Sequence, residues 1–135
     1  MDYRELAGNS VSLLGYGCMR FPTNEAGEID EPRAEKLLLR AYEQGVNYFD
    51  AAWPYHSGKS EPFVGKVLSK LDLDSFYIAT KLPMFTIESL EQAKEIFNTQ
   101  LEHLQTDHVD YYLLHSLDEA KWQKVLDLGI LPFLE

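Results

Sequence analysis

The sequence is short of cysteine, of positive charge and of long apolar runs. Cys18 is its only cysteine in 135 residues, which excludes an internal disulfide and any cysteine-cluster metal centre, so no metal is expected. Lysine and arginine number 12 against 22 aspartates and glutamates, leaving a net charge of −10. A chain of that sign is poorly suited to a run of phosphates, which argues against a nucleic-acid partner, though a local basic site still has room for a small anionic cofactor. No apolar stretch nears the roughly 20 residues that cross a bilayer. The opening Met1-Asp2-Tyr3-Arg4-Glu5 lacks the apolar core of a secretory signal. A soluble, cytoplasmic protein with no membrane contact is expected. Low-complexity segments and Gly/Ser or Pro linkers are also missing, so residues 1–135 read as one domain.

What is present suits a packed α/β core. Hydrophobic residues make up 45% and aromatics 13%, too many for a disordered segment. Four short runs rich in aromatic or β-branched residues read as strands: Leu13–Met19, Val46–Asp50, Phe76–Lys81 and Val109–His115. Helical patterns separate them. Asp30 or Glu31 caps the first, Pro32 suits its opening turn, and Ala34, Leu37, Leu38 and Ala41 form its apolar stripe. Gly45 stands where the chain leaves that helix. Ser60 is placed to cap a second helix, with Phe63, Val64, Val67 and Leu68 facing in. Ser89 and Gln92 form a capping box for a third, whose stripe is Leu90, Ala93, Phe97, Leu101 and Leu104. A fourth helical segment runs from about Ala120 to Leu128, Gly129 breaks it, and Leu131–Glu135 resembles the opening turn of another.

The strand ends Met19, Asp50, Lys81 and His115 lie 31, 31 and 34 residues apart, the length of a repeated β/α unit. Such alternation implies a parallel sheet, preceded by a hairpin of Asp2–Leu6 and Val11–Leu13 around the turn Ala7–Ser10. Two architectures fit: an open doubly wound sheet, or part of a (β/α)8 barrel. A full barrel takes about 250 residues, so four units make about half of one, with open edges at its first and fourth strands. Exposed edges and apolar patches invite association, and a homo-oligomer is expected.

Ligands of parallel β/α folds bind at the carboxyl ends of strands. Three successive strands end in Asp50, Lys81 and His115, and Tyr55 follows in the loop above the second. Taken singly, each has an ordinary use: a loop-capping aspartate, a surface tyrosine, a solvated lysine, a hydrogen-bonded histidine. Taken together they make an acid. A free phenol titrates near ~10 and is a poor donor at neutral pH; a neighbouring ammonium favours the phenolate; a carboxylate keeps the ammonium charged; an imidazole orients a carbonyl oxygen. That set suits protonation of a carbonyl oxygen while a hydride reaches its carbon.

These residues sit in a familiar context. Gly45-Val46-Asn47-Tyr48-Phe49-Asp50-Ala51-Ala52, then Tyr55, Gly58-Lys59-Ser60-Glu61 and Gly65, resemble the first signature of the aldo-keto reductase family. Ala79-Thr80-Lys81 resembles its lysine strand. Leu101 and Leu104 with Val109–His115 resemble its histidine strand, and Tyr3–Leu6 through Val11–Gly17 its amino-terminal hairpin and first strand. The resemblance implies the first four β/α units of a (β/α)8 TIM barrel after a β-hairpin, in an enzyme that reduces aldehydes and ketones with NADP(H). Tyr55 is then the general acid, Lys81 the cation that strengthens it, Asp50 the partner of Lys81, and His115 the residue that positions a small carbonyl substrate. It also implies that Gly17, Cys18, Met19, Arg20 and Asp50 lie by the nicotinamide, while Trp53, His56 and Phe85 line the substrate pocket. Cys18 is equally readable as a small core residue. Cys18-Met19-Arg20, Lys81-Leu82-Pro83 and Leu114–Leu117 are most similar to a branch carrying a carboxyl-terminal iron–sulfur extension, which these residues do not include. Ala51 stands where that family commonly has threonine. The strands that hold most of the cofactor in the family are absent from residues 1–135, so a non-catalytic truncated barrel acting by association is the alternative.

Overall fold

A computed structural model describes residues 1–135. The chain opens with an antiparallel hairpin, β1 (Tyr3–Leu6) and β2 (Asn9–Ser12), then runs β3 (Tyr16–Gly17), α1 (Glu31–Glu43), β4 (Tyr48–Asp50), α2 (Ser60–Leu68), β5 (Tyr77–Leu82), α3 (Leu90–Leu104), β6 (Tyr111–Leu114), α4 (Glu119–Asp127) and α5 (Leu131–Leu134). Strands β3 to β6 form one parallel sheet in chain order, apart from the hairpin. A doubly wound sheet reverses its strand order at a switch point. This sheet does not, so it has the winding of a barrel segment, unclosed.

The hairpin turn is tighter than expected. Only Ala7 and Gly8 lie between the strands, both at positive φ, as a two-residue hairpin turn requires. The first sheet strand is shorter: of Leu13–Met19 only Tyr16 and Gly17 pair, with Phe49 and Asp50. Leu13 and Leu14 are 63% exposed, because the strand has a neighbour on one side only and nothing covers its start. The fourth strand begins at Tyr111 rather than Val109, since the Asp110 carboxylate accepts the Ile78 backbone N–H at 2.7 Å and opens the ladder from its side chain.

Asp30 caps α1, its carboxylate accepting the Arg33 N–H. The buried stripe of α1 is Ala34 and Leu38, with Leu39 and Tyr42 packed alongside, while Leu37 is exposed. Both stripes satisfy helical spacing; contact with β4 and α2 decides between them. Ser60 begins α2 without capping it. Its hydroxyl donates instead to the Cys18 carbonyl at 2.7 Å, tying α2 to the loop after β3. Ser89 caps α3 by accepting the Gln92 N–H, and the Gln92 side chain reaches past it to the Glu88 N–H. Asp118 caps α4, and Gly129, at positive φ, ends it.

The outer face of the sheet is the core. Phe49, Phe76 and Ile78 pack against Leu38, Phe63, Val64, Val67, Leu68 and Leu104. Helix α2 crosses α3 so closely that a β-carbon on Gly65 would stand 2.2 Å from the His103 carbonyl oxygen, which is why glycine is required there. A second cluster joins Leu82, Met84 and Ile87 to Ala93, Val125 and Ile130. The inner, concave face carries the alternate residues Tyr48, Tyr77, Tyr111 and Leu113, with the Tyr48 and Tyr111 rings 5.3 Å apart.

Candidate active site

The register converges the strand ends. Asp50, last in β4, pairs with Ala79, and Lys81 follows on the same face of β5. The Lys81 ammonium therefore meets Asp50 Oδ1 at 2.9 Å and donates to the Ala51 carbonyl at 2.6 Å. Lys81 is 13% exposed and Asp50 34%, so the pair is sheltered yet open at the mouth. Tyr55 starts a 3-10 turn after β4, and its ring centroid lies 5.0 Å from Lys81 Nζ. His115 follows β6, its N–H bonded to the Leu82 carbonyl at 2.9 Å. Its ring meets the Tyr55 ring edge-on, centroids 6.0 Å apart. The four predicted acid residues thus share one rim.

Burial lowers the proton affinity of His115, the Lys81 ammonium lowers it further, and Asp50 partly opposes both. The imidazole is therefore neutral at pH 7, able to donate through one nitrogen. Its Nδ1 is buried with no partner.

The other sequence-predicted residues divide. Phe85 stands at the rim, its ring 5.5 Å from His115. Gly17 pairs with Asp50, and a β-carbon there would meet nothing within 4 Å, so the surface above it is open. Met19 and Arg20 are exposed beside it. Cys18 is not available to a ligand through its thiol: it is fully buried in the outer core, and burial drives its thiol strongly toward the neutral form. Only its backbone belongs to the rim, its N–H donating to the Asp50 carbonyl at 2.9 Å. Trp53 stacks on His103, centroids 5.7 Å apart and nearly parallel, which commits it to the α3 side. His56 turns away from the rim onto Phe21: its ring stacks on Phe21 and its Nε2 accepts the Phe21 backbone N–H at 2.9 Å. Glu61, which the sequence offers only as part of a signature and without a role, has its carboxylate buried beneath the site.

The family model for the aldo/keto reductase family matches residues 13–128. The chain belongs to the aldo/keto reductase family. A probable aldo-keto reductase 1 from Glycine max is 31% identical over 121 residues, covering 84% of this chain and 35% of that protein. Aldo-keto reductase AKR11C1 from Bacillus halodurans, in its holo form, superposes with a TM-score of 0.71 at 32% identity, over 96% of this chain and 48% of that one. An aldo-keto reductase from Klebsiella pneumoniae, solved with NADPH, shares the fold at a TM-score of 0.66 and 23% identity, over 89% of this chain and 43% of that one. The chain therefore spans about a third to a half of these aldo-keto reductases, and the four-stranded parallel sheet corresponds to part of their barrel.

No group of three His, Cys, Asp or Glu side chains gathers in the fold to hold a metal, and no helix is long and apolar enough to cross a membrane. The largest concavity, about 730 Å³, is a groove between Gly27–Glu31, the start of α2 and Gln105, not the rim that carries Tyr55. The acid residues lie on an open surface.

Proposed function

We propose that these residues supply the acid half of an NADP(H)-dependent carbonyl reductase, converting an aldehyde or ketone to an alcohol. The observation that carries this reading is Lys81, held at 2.9 Å by Asp50 and standing 5.0 Å from the Tyr55 ring centroid. The Tyr55 hydroxyl, which makes no hydrogen bond within the protein, donates its proton to the carbonyl oxygen. The Lys81 ammonium stabilises the phenolate left behind. Asp50 and the Ala51 carbonyl fix that ammonium. Neutral His115 donates a hydrogen bond to the same oxygen and orients it. A nicotinamide cofactor, when bound, supplies the hydride for the carbonyl carbon. The open surface over Gly17 and the exposed Met19 and Arg20 fit one end of it, while the remainder of its seat, and the loops that select the substrate, lie outside these 135 residues.

The test is fluorescence titration with NADPH and turnover of a panel of aldehydes by the 135-residue chain. Weak binding and slow turnover are expected, with Tyr55→Phe lowering the rate at least about 100-fold. Tight NADPH binding would show that the seat is present after all, and an undiminished rate for Tyr55→Phe would remove Tyr55 from the chemistry.

A second reading, association without catalysis, is favoured by exposed apolar groups. Leu13, Leu14, Leu113, Trp122 and Leu126 are each at least 41% exposed, where the sheet and α4 have no neighbour. Patches of this kind drive self-association. A dimer or larger assembly is expected in sizing experiments at micromolar concentration, and a monodisperse monomer would refute it.

A further inference from the structure

The carboxylate of Glu61 is 1% exposed and takes no part in the acid chemistry. Its Oε1 accepts the Thr80 hydroxyl at 2.6 Å and the Gln100 amide at 2.7 Å. Its Oε2 has no hydrogen-bond partner. The buried Nδ1 of His103, which also has none, stands 3.7 Å away. An interior carboxylate left half-paired is costly, and two orphaned atoms at this separation, too far apart for a hydrogen bond, are placed to offset one another as opposite charges.

We propose that Glu61 and His103 form a buried carboxylate–imidazolium ion pair, Oε2 facing Nδ1, that positions the two segments carrying Tyr55 and Lys81. The inference rests on reading those two residues as the acid machinery. The proton belongs to His103 for two reasons. Two short donors on Oε1 suit an ionised carboxylate, and His103 lies in the last turn of α3, where the free carbonyls favour a cation. Burial pushes the Glu61 carboxyl up, and the bonds from Thr80 and Gln100, with His103, offset only part of that rise.

The pair reaches Lys81 through Gln100. The amide nitrogen that serves Glu61 also lies 3.1 Å from both Thr80 Oγ1 and the Lys81 carbonyl, so it holds β5 at the residue bearing the ammonium. Tyr112 on β6 donates to Gln100 Oε1 at 2.8 Å and fixes which way that amide faces. The pair reaches Tyr55 through Trp53, whose ring rests on His103. The titratable groups packed around Glu61 are His103 of α3, Tyr112 of β6, kept neutral by burial beside Glu61, and Lys81 of β5. The Lys81 side chain leaves the strand on the face opposite Thr80. Glu61 and His103 are thus positioning residues, linking α2, α3, β5 and the loop after β4.

Amide hydrogen exchange on the full chain tests this. Glu61→Gln is expected to speed exchange in residues 51–58 and 77–82 about tenfold, the loss of one charge-assisted hydrogen bond, while α1 is unchanged. No change in either segment, or equal acceleration in α1, would overturn the proposal. A second readout is Trp53 emission in a Trp122→Phe background, since an imidazolium quenches a stacked indole. At pH 7 His103→Gln should raise the emission, and Glu61→Gln should raise it to the same level because a carboxamide cannot retain the proton. Emission unchanged in Glu61→Gln would sink the ion pair. Should Glu61→Gln fail to fold, His103→Gln carries the exchange test on the same two segments. Tyr55→Phe, which ends the acid chemistry without touching the pair, leaves both readouts as they are, so loss of the reductase reading and loss of the pair give different results.

Discussion

Just before β4, both polar atoms of the Asn47 side chain are engaged by the hairpin: Oδ1 accepts the Ser12 N–H at 2.7 Å and Nδ2 donates to the Ser10 carbonyl at 2.9 Å. Nearby, Tyr3 donates to the Gly45 carbonyl and Tyr111 to the Leu6 carbonyl. At the other end of the same strand, Asp50 and Lys81 pair, yet the Tyr55 hydroxyl makes no bond and His115 Nδ1 is buried without one. The amino end of the sheet is saturated, and the carboxyl end keeps the Tyr55 hydroxyl in reserve. An unpaired buried polar atom such as His115 Nδ1 costs stability, roughly 1–3 kcal/mol, whereas the Tyr55 hydroxyl is not buried and is free for a ligand to complete. In parallel β/α folds the same division separates stability at one end from chemistry at the other.

Substitutions at the two ends should therefore fail differently. Lys81→Met keeps the side-chain length and removes the charge. Turnover should fall at least about 100-fold, while thermal unfolding shifts by no more than about 1 kcal/mol, as for a pair partly open to solvent. A collapse in stability with the rate intact would assign Lys81 to the fold and erase the contrast. Asn47→Ala is the converse case. It strips two hydrogen bonds and strands the Ser12 N–H, and Ser12 is 5% exposed. A loss of about 2–3 kcal/mol is expected in denaturant titration, with the rate per folded molecule unchanged. A stability loss below about 0.5 kcal/mol would mean that the hairpin is held by something other than Asn47.

The β/α repeat was legible because strand-length aromatic runs and capped helical stripes alternate at one spacing, and spacing survives any error at element boundaries. Asp50, Lys81 and His115 were legible as a group because each ends or follows a strand. What the sequence hid depends on contacts between distant segments. Glu61 looks like an exposed residue near a helix start, and its burial is decided by Thr80 and Gln100. Leu37 and Tyr42 fit the α1 spacing equally well, and only the neighbouring elements choose between them. Leu13 and Leu14 are apolar enough for a strand and lack a partner to pair with. The direction of His56 was the least readable. His56 and Ser57 both adopt positive φ, which neither residue type announces, and that conformation swings the imidazole from the rim down onto Phe21.

This clip is a saturated contact directly beneath the open one, and it supplies the finest test of the contrast. His56 Nε2 accepts the Phe21 N–H, so that nitrogen must be unprotonated, and burial lowers its proton affinity below the ordinary histidine range. With the folded value below the unfolded one, the stability contributed is complete above about pH 6.5 and is lost as pH falls through the lower folded value. The effect is the smallest of the set, one hydrogen bond on a partly exposed ring. His115 is depressed in the same sense, so the two histidines share the acid slope of the thermal midpoint. His56→Gln retains an acceptor that does not titrate and should flatten part of that slope, leaving the portion due to His115. If the midpoint falls just as steeply in His56→Gln between pH 7 and pH 5, the clip does not sense protons, and the turn at His56–Gly58 is held by its stacking on Phe21 alone.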